Sequence, residues 1–177
     1  MVGRARIIGA LCLVGTLALM LSSCVSFLGP TILLSSLDLQ LGEQGDIVIS
    51  AMNIPNGLQG IEVSAVSGQF LTFDPEMIQV SGLEAVAPFS LDAENVDNSA
   101  GKVSFIARAP AGDPFLANTK ILLLHVTLLA HNPVKPGSGT PIHLEITNLA
   151  DGNNQPVLGV KIVDGTVNLG SSTDQQP

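Results

Sequence analysis

Apolar and polar residues alternate with period two along much of this chain. Leu37, Leu39 and Leu41 are separated by Asp38 and Gln40, and Ile61, Val63 and Ala65 by Glu62 and Ser64. Ile142, Leu144 and Ile146 alternate with His143, Glu145 and Thr147 over residues 140–148. That spacing sends successive side chains to opposite faces of a strand, so the apolar set points inward. Further strands are expected at residues 47–51, 78–80, 157–163 and 166–169, the last two joined at Asp164-Gly165. Turn residues punctuate them at 42–46, at Asn53-Ile54-Pro55-Asn56-Gly57, at Asp74-Pro75 and at Gly82. Asn98-Ser99-Ala100-Gly101 predicts a hairpin turn between residues 89–96 and 102–107. Ser67-Gly68 interrupts residues 61–73 and leaves Phe70 out of step with Leu71 and Phe73, which predicts a bulge or tight bend. Residues 121–129 are almost wholly apolar, and their length and lack of a cap predict a strand crossing the centre of a sandwich rather than a helix. About nine strands with regular turns and no amphipathic helix make the expected fold all-β, a single β-sandwich.

The N-terminus is patterned differently. Arg4 and Arg6 precede an uncharged stretch, residues 7–20, which ends in Leu21-Ser22-Ser23-Cys24. A basic start, an apolar segment of this length and small residues at its end describe an export signal. Residues 7–21 fall short of the roughly 20 needed for an uncleaved anchor helix. The ending resembles the bacterial lipobox, with Ser23 where Gly or Ala is more usual. The resemblance implies cleavage before Cys24 and a diacylglycerol on its thiol. Val25-Ser26 lacks the aspartate of inner-membrane retention, so in a cell with two membranes it implies the outer membrane or cell surface. The chain then divides into a signal peptide (1–23), an acylated cysteine and tether (24–30), the sandwich (31–169) and a polar, flexible tail (170–177). The expected location is extracytoplasmic, held to a membrane by lipid on Cys24.

Charge narrows the function. The 177 residues carry seven basic and fifteen acidic side chains, a formal net charge of −8, and no Trp or Tyr. Losing Arg4 and Arg6 with the leader takes the mature chain to −10. Nucleic acid is thereby excluded as a partner, since neither a basic patch nor aromatic stacking platforms are present. Cleavage also removes Cys12, and lipidation uses Cys24, so disulfides, thiolate metal sites and cysteine nucleophiles drop out.

No catalytic constellation stands out, and the chain reads as no enzyme, with no cofactor and no metal. His125 lies mid-strand and is expected as a satisfied core histidine; His131 and His143 lie near a loop or on an outward face, and the three have no zinc-ligand spacing. Asp92, Glu94, Asp97 and Asn98 form one polar cluster, and Asp151-Gly152-Asn153-Asn154 another. Both read as turn chemistry, because neither has EF-hand spacing. Phe70, Phe73, Phe89, Phe105 and Phe115 mostly sit in apolar runs and are expected in the core, leaving no obvious platform for a sugar ring.

Several short motifs occur in a particular order: Gly45-Asp46 leading into Ile47-Val48-Ile49, Asn53 opening a loop that closes near Gly60-Ile61, and Phe73-Asp74-Pro75 followed by Ile78-Gln79-Val80. Gly101-Lys102-Val103-Ser104-Phe105, the long apolar strand at 121–129 and a final Asp164-Gly165-Thr166-Val167 complete the set. In this order the chain resembles a cohesin domain, the jelly-roll module that receives dockerins in cellulosomes, over residues 31–169. The resemblance implies a non-catalytic surface receptor that docks a dockerin-like protein partner, whose helices lie on one flat sheet face and whose own loops carry the calcium. It also implies that residues 61–73 contribute to the partner-binding face. The acidic surface favours basic residues on the partner. Two alternatives stay open: a carbohydrate-binding module of similar sandwich fold, taking a polysaccharide, and a structural envelope lipoprotein.

Overall fold

The computed structural model describes residues 29–110, 118–129 and 139–170. The leader, Cys24 with most of its tether, the tail beyond Gly170, His131 and Phe115 lie outside the described residues. Within them the alternating segments are strands: β1 (Thr31–Leu34), β2 (Leu37–Leu39), β3 (Gln44–Met52), β4 (Leu58–Val63), β5 (Leu71–Thr72), β6 (Ile78–Ala85) and β7 (Ser90–Asp97). They continue as β8 (Lys102–Arg108), β9 (Thr119–Leu128), β10 (Gly139–Leu144), β11 (Asn148–Asp151), β12 (Lys161–Val163) and β13 (Gly165–Leu169). Among the described residues the helical content is one 3-10 turn, Ala65–Ser67, closed by Gly68 in the left-handed conformation.

Five strands form one sheet in the order β12-β1-β3-β9-β6, so the apolar β9 is flanked on both sides. In the second sheet β8 is the centre. β7 runs along one of its edges, while β4 and β5 share the other, Val63 opposite Phe105 and Leu71 opposite Val103. β11 extends this sheet beyond β4; β10, β13 and β2 extend it beyond β5. The two sheets bury one common core. Ile32, Ile47, Ile49, Leu122 and Leu124 from the first meet Ile61, Val63, Val103, Phe105 and Ile142 from the second. Each such side chain contributes roughly 1.5–3 kcal/mol by leaving water. The fold is the expected all-β sandwich of jelly-roll form.

Both ends of the chain change sheet partway. β1 lies in the first sheet and β2 in the second; β12 lies in the first and β13 in the second. The two crossings run side by side, and a Cβ on Gly165 would come within 2.5 Å of the Ser35 carbonyl oxygen. Only glycine fits there. Ser35 holds the crossing to β3, its N–H donating to the Val48 carbonyl at 3.0 Å and its hydroxyl accepting the Val48 N–H at 2.9 Å.

Strand pairing revises several expected boundaries, and among the described residues thirteen shorter strands stand where about nine were expected. Leu41 is half exposed, because the chain already turns after Leu39 to bring Gln44 opposite Thr127. Ala65 is exposed in the 3-10 turn, which supplies the tight bend expected at Ser67-Gly68. Gly82 does not end its strand. Val80 pairs with Val126 and Gly82 with His125, so Ser81 is the extra residue of a bulge and β6 continues to Ala85. The run at 140–148 is two strands, since its neighbour is also broken. β10 follows β5 and β11 follows β4, and between them Thr147 bonds Glu62, Ser64 and Ser67. Of residues 157–163 only the last three form a strand; the rest cross from the edge of β11 to the edge of β1, leaving Leu158 82% exposed.

Candidate docking face

The outer face of β11-β4-β8-β7 is a four-strand surface of the second sheet. The alternation that buries Val103, Phe105 and Ala107 turns Ser104, Ile106 and Arg108 outward along β8. β4 adds Gly60 opposite Arg108 and Glu62 opposite Ile106; β11 adds Asn148 opposite Glu62. On β7, Ala93 lies opposite Ile106 and Asn95 opposite Ser104. Glycine and small side chains keep this face low, and Ile106 is its apolar centre. A shallow depression of about 410 Å³ lies over it, bounded by Gln59, Glu62, Ile106, Arg108, Asn148 and Asn154.

Polar groups set the rim. Arg108 Nε lies 3.3 Å from Asp92 Oδ2, an exposed pair worth about 0–1 kcal/mol. The buried Gln59 Oε1 has no hydrogen-bond partner among the described residues.

Asp97-Asn98 and the Asp151 loop are turn structures, whereas Asp92 and Glu94, expected in a turn, lie within strand β7 because that strand runs on to Asp97 to pair with Lys102. Asp97 Oδ1 accepts the Ser99 hydroxyl at 2.6 Å and the N–H groups of Ser99 and Ala100 at 3.0 Å, and these bonds hold its carboxyl below the usual range. Asp151 accepts from the Asn56 amide at 2.9 Å and from the backbone N–H groups of Gln155 and Asn153, which lower its pKa in the same way. Asn98 does something else: its side chain bonds the backbone of Val80 on β6. Among the described residues no three His, Cys, Asp or Glu side chains are arranged to hold a metal ion.

The histidines divide. His125, expected in the core, lies on the outer face of the first sheet with about a third of its side chain exposed. Its Nδ1 is 2.7 Å from Asp46 Oδ1 and its Nε2 3.6 Å from Glu84 Oε2. The physical reason is phase: inward positions on β9 are Leu122, Leu124, Val126 and Leu128, and His125 falls between them. His143 faces outward as expected. Its Nδ1 is 2.7 Å from Asp164 Oδ2, and chiefly this bond raises its pKa, against the opposing effect of partial burial.

Phe73, Phe89 and Phe105 are core residues, as expected. Phe70 is half-buried, with the Lys102 ammonium 4.6 Å from its ring centre. Sequence reasoning did not single out Gln59, Ile106 or Arg108. One signal was available: Ile106 is the apolar residue at an outward phase of the 102–107 alternation.

No family model and no curated protein matches the chain. Solved structures do. The chain is similar to a type I cohesin from a cohesin–dockerin complex of Clostridium thermocellum, with a TM-score of 0.64 and 18% identity over 80% of this chain and 99% of that one. A type I cohesin of Pseudobacteroides cellulosolvens gives a TM-score of 0.66 at 10% identity, over 84% and 97%. A non-cellulosomal cohesin of the archaeon Archaeoglobus fulgidus gives 0.63 at 12%, over 83% and 95%. At these identities the similarity concerns the fold: the sandwich is a cohesin-type jelly roll.

Proposed function

We propose that this chain is a non-catalytic, lipid-anchored receptor that docks a protein partner of the dockerin kind on the β11-β4-β8-β7 face. The observation that carries the reading is that low, mixed-polarity face, centred on Ile106, in a sandwich similar to cohesins solved with dockerins. Residues 61–73, which the cohesin resemblance assigns to the partner-binding face, begin within β4, the strand on which the depression lies. A small apolar centre with a polar rim suits a helix packed across the strands. The calcium belongs to the partner's loops. Acylation at Cys24 keeps the module outside the cytoplasm, and a single docking face makes it an adaptor for one partner.

The test is capture of secreted proteins from the source organism by the full acylated chain in detergent, with calcium and with a chelator. Recovery of a protein with paired calcium loops, lost on chelation, supports the reading. Retention on an insoluble polysaccharide with no protein captured overturns it in favour of sugar binding. Mass spectrometry of the N-terminal peptide reports separately on Cys24.

A further inference from the structure

The strand ends nearest the N-terminal tether form a row. The Pro30 carbonyl accepts the Lys161 N–H at 2.8 Å, Thr31 pairs with Lys161 on one side and Met52 on the other, and Thr119-Lys120 lies beside Ala51 and Ser50. The chain therefore enters the sandwich between two exposed lysines and next to an exposed methionine. Leu158, 82% exposed, lies three residues before Lys161 in the segment that reaches this row. Met52 is 37% exposed. Among the described residues neither Lys120 nor Lys161 has an acidic partner.

Charge is distributed unequally between the two ends of the sandwich. Near the tether, Arg108 is paired with Asp92, and the Asp151 carboxylate is buried within its own turn. The opposite end carries Glu43 in the turn before β3, Asp74 and Glu76 in the turn before β6, and Asp97 at the close of β7, four acids against the one described cation there, Lys102 opposite Asp97. A chain of net charge −8 thus has two unpaired cations and two exposed apolar side chains where its N-terminus emerges, and acidic turns at the far end.

We propose that this end is a membrane-contact surface: Leu158 and Met52 enter the interface of an anionic bilayer, and Lys120 and Lys161 lie among its phosphates. The inference rests on the lipid-anchor reading of Cys24. Gly29 is five residue steps from Cys24, with four residues between them, an extended reach of at most about 18 Å. An acyl anchor on that leash holds the lysine row within contact distance of the headgroups. Lysine stems cover apolar surface while their ammonium groups stay at the polar boundary, and anionic lipid attracts them. Repulsion of the acidic turns favours the same orientation, with the far end turned away from the bilayer.

The experiment uses the full acylated chain in vesicles of phosphatidylethanolamine and phosphatidylglycerol. Once Cys12 leaves with the leader and Cys24 is acylated, Leu158→Cys and Ala100→Cys each offer one thiol for an environment-sensitive fluorophore. Quenching by lipid-borne quenchers is expected to be several-fold stronger at position 158 than at position 100, and to weaken when phosphatidylcholine replaces the anionic lipid. Equal quenching at both positions, with Cys24 acylated by mass spectrometry, overturns the contact surface and leaves the anchor standing. An unmodified Cys24 with no vesicle association overturns both.

Discussion

The side chain of Asn98 completes the edge of a strand in the opposite sheet. Its Oδ1 accepts the Val80 N–H at 2.8 Å and its Nδ2 donates to the Val80 carbonyl at 2.9 Å, so a β7–β8 turn residue serves as the missing neighbour of β6. The carboxamide presents the same donor and acceptor as a peptide group, and it protects a partly buried edge that would otherwise lack partners. Asn98→Ala is expected to cost about 2 kcal/mol in urea unfolding, since the Val80 N–H loses its acceptor. Asn98→Asp retains the acceptor alone and is expected to fall between.

Gly101 closes the same turn under a steric limit. Its φ is +62°, and a Cβ there would come within 2.2 Å of the Phe73 carbonyl oxygen, part of a backbone that cannot swing aside. Gly101→Ala is expected to destabilise by about 2 kcal/mol. Gly68→Ala has a similar φ but open space around it, and is expected to cost only about 1 kcal/mol. Thermal melts of the two variants measure the difference.

His143 links stability to pH. Its pKa is raised in the folded state, chiefly by the bond to Asp164. The stabilisation is fully present below the unfolded histidine value of about 6.5 and is lost as pH rises through the higher folded value. Melting temperature is therefore expected to fall slightly between mildly acidic and mildly alkaline pH. In His143→Gln that component of the slope should vanish; an unchanged slope assigns it to another group.

Ile106 is the point at which docking should be most sensitive. Ile106→Asp puts a charge at the centre of the face while its inward neighbours Phe105 and Ala107 stay in the core. Calorimetry with the captured partner is expected to show affinity falling tenfold or more, equivalent to about 1.4 kcal/mol. Unchanged affinity with an intact fold would place the partner elsewhere on the sandwich.

By itself the sequence determined the class of the fold and the chemistry available to it. Period-two alternation, turn residues at Asn53–Gly57 and Asn98–Gly101, and the apolar run at 121–129 need only local geometry to be read; both turns and the long strand form as expected, and the alternating segments form strands with shifted ends. Composition also set the acidic charge balance and the absence of Trp and Tyr on counts alone. What tertiary structure decided was pairing and phase. His125 lies outside because β9 has its inward phase at Leu122 and Leu124. The 140–148 run breaks because the adjacent β4 and β5 are already separated by the Ala65–Ser67 turn, and residues 157–160 are no strand because they must pass from one sheet to the other. The proposed docking face belongs to that second group. Gln59, Ile106, Arg108 and Asn148 come from three strands far apart in sequence, and only the register of β11, β4 and β8 brings them together. A local pattern records which way a side chain points along its own strand; which strands then lie beside it is settled by long-range hydrogen bonding and the shared core.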